Sequence, residues 1–455
     1  MAEFYCQSAL LPDGWADGVT IRVDEAGLIA GIDTDTQPTK DATRLGTVVP
    51  GLANLHSHSF QRAMAGLTER RGEGEDSFWS WRQLMYAFND RLTPDHVEAI
   101  AAWVQVEMLE SGFTSVGEFH YLHHGPDGTP YDDRAEMAGR ICAAAASTGI
   151  ALTLLPVYYR YSGFNEAPAS HGQRRFLHDP DSYAALVEAA RRHVAALPHA
   201  RLGLAPHSLR AAPVKDISAI LPLVENAPFH IHIAEQTQEV EDCIAATGQR
   251  PVAHLMDHVA VNADWCLVHA THMDASETTA LARSGAVAGL CPLTEANLGD
   301  GLFPARDYLE AGGRIGIGSD SHIRIDLAEE LRLLEYGVRL TARRRNALAA
   351  PGRSTGRTLF EAALAGGAQA LKQPAAGLTP GQRADFVELD TDNPHLTGRS
   401  ADALLDSWIF CGDKGCVRSV HVGGQAQVTA GRARARESAL AAYRTAIADL
   451  LHGGS

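Results

Sequence analysis

The sequence predicts an α/β chain: a (β/α)8 barrel over residues 48–379 with a small β-sandwich domain built from residues 1–47 and 380–455 together. Three observations predict it. Eight apolar runs of strand length alternate with helix-periodic stretches. Histidines and an aspartate stand at the carboxyl ends of several of these runs, where the active sites of closed parallel barrels lie. Both chain ends carry short strand-like runs with too few apolar residues to fold alone.

The amino-terminal runs are 8–11, 19–23 and 28–32, broken at Pro12-Asp13-Gly14 and again at 24–27. Their carboxy-terminal counterparts are 384–389 and 417–424. Pairing the two sets brings the chain ends together. The barrel runs are 48–55, 114–119, 151–158, 201–206, 228–233, 265–269, 286–291 and 314–319, numbered strands 1 to 8 below. Residues 94–109 form the clearest helix between them, with Thr93 as N-cap and Pro94 at the first helical position. The connection 59–92 is too long for an ordinary strand-to-helix loop. It is rich in aromatics and charge (Phe60, Phe78, Trp79, Trp81, Arg82, Tyr86, Phe88), which predicts a lid or binding loop over the barrel mouth.

Bulk composition narrows the function. A net charge of −16 excludes a basic nucleic-acid surface. It also means that an anionic substrate needs local arginines, because the global field repels it. Seven cysteines form no C-x-x-C pair, which points to reduced thiols in a cytoplasmic protein. Cys266 and Cys291 read as small core residues within apolar runs. No apolar stretch reaches membrane-spanning length, so no span is expected.

The chemistry concentrates at strand ends. His56 and His58 are two apart at the end of strand 1, so both rings can face one metal ion. His232 ends strand 5 and Asp320 ends strand 8. Three neutral imidazoles and one carboxylate suit Zn²⁺, with Fe²⁺ second. Such a site leaves room for one water, whose pKa a metal lowers from about 15.7 towards about 7. Asp320 can take that water's proton. Glu235, in His232-Ile233-Ala234-Glu235, is a non-ligand carboxylate able to carry a proton to a leaving nitrogen. His269 at the end of strand 6 is either a further ligand or a hydrogen-bond partner of water and substrate; the second is preferred. His230 lies one pleat deeper and reads as a satisfied core histidine, while His120, His123, His124 and His272 receive no role.

This constellation resembles the mononuclear deaminase branch of the amidohydrolase superfamily: H-x-H after strand 1, H-x-x-E after strand 5, His after strand 6 and Ser319-Asp320 after strand 8. Residues 380–387 resemble that branch's signature entering its β domain, and the likeness covers nearly the whole chain. Strand 4 carries no lysine, where two-metal barrel hydrolases often use a carboxylated one, so one metal is expected. Within the branch, the strings 54–67, 78–82 and 117–124 are similar to the formimidoylglutamate deiminases of histidine breakdown. That resemblance implies a substrate with two carboxylates and a formimino group, a zinc cofactor and a homodimer. Arg82 and Arg210 could each fork a carboxylate. Tyr121 and His207 could add hydrogen bonds, and Gln61 could contact the formimino end. An alternative keeps the scaffold but takes guanine, cytosine or an adenosine-like base, which requires stacking aromatics in place of paired arginines.

Overall fold

The computed structural model describes residues 1–70 and 78–452. Strands from the two chain ends meet in one eight-stranded mixed sheet. The junction is Thr43–Pro50. It runs parallel to Ala2–Leu11 on one side and antiparallel to Phe386–Leu389 on the other, with Val49 opposite Val387. Gly14–Val23 and Ile29–Asp33 extend the sheet outward on the amino-terminal side. Val417–Val422, Gln425–Thr429 and Arg432–Ala433 extend it on the other. Phe4, Cys6, Val19, Ile21 and Val48 pack with Ala384 and Phe386 in a core of their own, so apolar side chains from both ends bury one another.

The expected run 48–55 divides at Gly51. Its first half belongs to the terminal sheet, and barrel strand 1 is Leu52–Ser57. A Cβ on Gly51 would meet the Thr114 side chain at 2.2 Å, so only glycine lets the chain pass between the two layers. The other barrel strands are Phe113–His120, Ala151–Tyr158, a fourth position split into Arg201–Leu202 and Ala205–Pro206, Phe229–Ile233, Trp265–His269, Val287–Leu290 and Arg314–Ile317. Neighbours pair in parallel. Two bridges close the ring, Leu204 to Phe229 and Ser57 to Asp320. The second seam places the strand 1 histidines beside Asp320: Asp320 N donates to His56 O and His58 N donates to Asp320 O, both at 3.0 Å.

Helix Pro94–Ser111 begins as its sequence predicts: the Thr93 side chain accepts from His96 N, and Gly112 ends the helix at φ 100°. The long first connection contains a 3-10 turn, Ser59–Met64, and a helix, Phe78–Asn89. The part of the expected lid at 71–77 lies outside the described residues. Among the described residues no helix is long and apolar enough to cross a membrane.

A buried ion pair holds the entry to strand Phe386–Leu389. Arg383 Nε and Nη2 donate to the two carboxylate oxygens of Asp385 at 2.8 and 2.6 Å. Asp385 also accepts from Gly423 N, while its carbonyl accepts from Gly51 N. Asp385→Ala leaves the fully buried guanidinium without its counter-charge. The expected loss is about 3–5 kcal/mol of unfolding free energy, read from urea denaturation.

Candidate active site

Three imidazoles converge at the carboxyl end of the barrel. The Nε2 atoms of His56, His58 and His232 lie 3.0 to 3.3 Å from one another. His58 Nδ1 lies 2.8 Å from Phe119 O, and His232 Nδ1 lies 3.0 Å from His207 O. Each main-chain carbonyl takes a ring proton on Nδ1, which leaves a bare lone pair on Nε2. Burial lowers all three pKa values, to about 3 for His58 and well below the usual range for His56 and His232, with neighbouring imidazoles adding to the effect. Neutral lone pairs crowded this closely repel one another unless a cation stands between them. A tetrahedral zinc holding nitrogens at about 2.0–2.1 Å spaces them about 3.3 Å apart, so the donor set fits that ion. Asp320 Oδ1 lies 3.3 Å from His58 Nε2 and 3.6 Å from His56 Nε2.

The remaining polar groups surround this centre. His269 Nε2 is 3.8 Å from Asp320 Oδ2 and 3.7 Å from Glu235 Oε1, and its Nδ1 is 3.2 Å from Glu295 Oε1. Burial disfavours a charged His269, but Glu235, Glu295 and Asp320 outweigh it and push the imidazole up to about 10. Asp320 itself is raised to about 7, by burial first and then by Glu235 and Glu295, against the pull of His269. Backbone strain marks these strand ends. Ala234, His269 and Asp320 hold φ of 51°, 67° and 45°, left-handed turns that swing their side chains or those that follow over the mouth.

The cavity above is lined by His58, His232, Glu235, His269 and Asp320 together with Gln61, Arg82, Tyr121, His207 and Arg210. His56 lies outside this lining. Gln61 Nε2 donates to Tyr121 Oη at 2.7 Å, while its Oε1 is buried without a hydrogen-bond partner among the described residues. Arg82 donates to Tyr159 Oη at 2.8 Å and lies against Trp79 and Tyr86. Arg210 also lies over the Trp79 ring, 5.5 Å from its centre. Burial, with both arginines nearby, keeps His207 neutral, so it can donate or accept without adding charge.

Sequence reasoning names Phe78, Trp81 and Arg82 but reads their segment as a loop, and it misses Met85, Tyr159 and Glu295. Phe78, Trp81, Arg82 and Met85 all face the cavity from one helix. Their spacing of three and four is the helical signal inside what reads as a loop. Tyr159 follows the end of strand 3 and Glu295 follows strand 7, the same placement that picks out His269. A buried network behind the ligands has no sequence signature. Asn54 donates to Ser319 Oγ, Ser319 Oγ meets His322 Nδ1, His322 Nε2 meets Ser57 Oγ, and Ser57 and Ser59 donate to Glu118. It stitches strands 8, 1 and 2 together beneath His56, His58 and Asp320.

Of the histidines without assigned roles, His120, His123, His124 and His230 are buried and His272 is half-buried. His230 Nε2 donates to Ala370 O at 2.8 Å, and His272 Nε2 donates to Asp300 O at 2.7 Å. His120, His123 and His124 lie in a ring cluster with His178 outside the cavity. Cys266 and Cys291 belong to the barrel's inner apolar core. Cys291 also comes within 4.8 Å of ligand atoms of His269 and Asp320. All seven cysteines are free.

The amidohydrolase family model matches residues 47–426, most of the chain. The chain belongs to the amidohydrolase family. This amidohydrolase is 50% identical over 454 residues to a formimidoylglutamate deiminase of Pseudomonas aeruginosa, a match covering 99% of the chain and 100% of that protein. The crystal structure of an amidohydrolase from Brucella melitensis superposes with a TM-score of 0.96 at 51% identity, covering 99% of this amidohydrolase and 100% of that chain. A 5-methylthioadenosine/S-adenosylhomocysteine deaminase of Natronomonas pharaonis is 29% identical over 385 residues, 83% of this chain and 80% of that protein. The barrel with its sheet from both chain ends is therefore this family's architecture, and base deaminases stand further away.

Proposed function

We propose that this amidohydrolase hydrolyses N-formimidoyl-L-glutamate to N-formyl-L-glutamate and ammonia, a step of histidine degradation. One observation carries the reading: Arg82 and Arg210 line the same cavity as Glu235, His269 and Asp320 in an otherwise acidic protein. Two guanidiniums facing one cavity match a substrate with two carboxylates. The 50% identity to a formimidoylglutamate deiminase supports the same substrate.

His56, His58, His232 and Asp320 would hold one divalent ion, zinc by donor type with iron(II) second, and a bound ion would supply a water of lowered pKa. The chain's own groups do the rest. The arginines fix the two carboxylates, which orients the formimino carbon towards the histidine cluster. Tyr121, His207 and the free Gln61 Oε1 position the amidine. Asp320 accepts a proton from the attacking water. His269, held by Glu295, orients that water and the oxygen it becomes. Glu235 delivers a proton to the amidine nitrogen, and the C–N bond then breaks to release ammonia. The seven free cysteines fit a cytoplasmic enzyme, and a homodimer completes the proposal.

The test is ammonia release by purified protein assayed on N-formimidoyl-L-glutamate, guanine, cytosine and adenosine, with metal content measured by elemental analysis. Release from the first substrate alone, with about one zinc per chain, is expected. Release from a base alone overturns the substrate; activity in protein stripped of metal by a chelator overturns the metal's part.

A further inference from the structure

We infer that Glu239 is the positioning residue that makes Arg210 selective for a carboxylate and ties that arginine to Glu235. The inference rests on the proposed substrate and adds a residue that no strand-end pattern identifies.

Glu239 lies in the first turn of helix Thr237–Thr247, four residues after Glu235, and is fully buried. Its Oε2 accepts from the backbone N–H of Glu235 at 3.3 Å. The same oxygen stands 4.0 Å from Arg210 Nε. Glu239 Oε1 and Arg210 Nε both lack a hydrogen-bond partner among the described residues. Arg210 is itself only 5% exposed, with its guanidinium over the Trp79 ring.

A buried ion pair adds little to stability even when closed, and this one stays open beyond hydrogen-bond distance. Its geometry serves another purpose. A guanidinium offers donors along two edges, and Glu239 lies towards Nε. The terminal nitrogens remain for the cavity that Arg210 lines. Glu239 therefore supplies the counter-charge that permits a buried arginine without occupying the edge that would fork a substrate carboxylate. Because the same oxygen holds the Glu235 main chain, the carboxylate clamp and the proton carrier share one support.

The experiment compares N-formimidoyl-L-glutamate with N-formimidoyl-4-aminobutyrate and N-formimidoyl-2-aminobutyrate, which lack the α- and the γ-carboxylate respectively. Glu239→Gln keeps the side-chain size and an amide oxygen to accept from Glu235 N, and removes only the charge facing Arg210. It should lower kcat/KM for the dicarboxylate about 10- to 100-fold. The monocarboxylate that Arg210 does not grip should change about threefold or less, so discrimination between the two collapses. Arg210→Gln/Glu239→Gln removes both charges, which favours folding. It should be no worse than Arg210→Gln alone, since Glu239 acts through Arg210. Equal losses on all three substrates, unchanged discrimination, or additive losses in the double variant each overturn the inference. A wild-type protein inactive on the dicarboxylate would instead overturn the proposed function, and that result is read before any variant is made.

Discussion

Glu235→Gln is expected to lower kcat on N-formimidoyl-L-glutamate by about 10²–10⁴-fold while the metal content stays unchanged. The substitution preserves shape and removes the ability to exchange a proton. Glu235 stands outside the triangle of His56, His58 and His232, so the ion-binding set stays whole. Its carboxylate faces His269 and lines the cavity, the position required for a group that meets a leaving nitrogen. KM should move little, because the substrate carboxylates are assigned to the arginines and not to Glu235. Elemental analysis beside steady-state kinetics decides the matter: near-wild-type turnover with full metal would remove Glu235 from proton transfer, and loss of metal would make it a ligand.

Arg210→Met should act on the other kinetic constant. Methionine keeps an unbranched apolar stem against Trp79 and loses the charged fork. Truncating one partner of a buried charge pair costs about 2–5 kcal/mol, so KM should rise by roughly two orders of magnitude or more. Metal content should be unaffected. An unchanged KM would place both substrate carboxylates elsewhere, with Arg82 the other arginine lining the cavity.

Much of this architecture is legible in the chain because parallel barrel strands are buried on both faces and read as uninterrupted apolar runs. The candidate metal-binding residues are legible for a related reason. A histidine or aspartate at the end of such a run breaks the apolar pattern where the fold puts its chemistry. The division at Gly51 is not legible. Val48, Val49 and Pro50 are as apolar as Leu52 and Ala53, and only the pairing of Val49 with Val387 reveals that the strand has changed sheets. Helix Phe78–Asn89 carries its own periodicity, but its length inside a long connection resembles a loop. The Asn54–Ser319–His322–Ser57–Glu118 network depends on the closure of strand 8 against strand 1, a contact between residues 265 apart for Asn54 and Ser319. Local pattern cannot anticipate it. Glu239 falls between these cases: its spacing from Glu235 is visible, but its distance to Arg210 exists only once strands 4 and 5 lie side by side.

The junction strand Thr43–Pro50 has a further consequence during synthesis. It emerges early from the ribosome with Ala2–Leu11 available at one edge, while its other partner, Phe386–Leu389, is made only near the end. Throughout that interval an apolar edge of the nascent sheet is unpaired, and such edges recruit other chains. The strand 1 histidines begin six residues beyond Pro50, so this edge and the strand that carries them are continuous. A nascent chain arrested before residue 386 therefore carries its histidines beside an uncapped sheet, and its hazard is aggregation even where the barrel strands are already present.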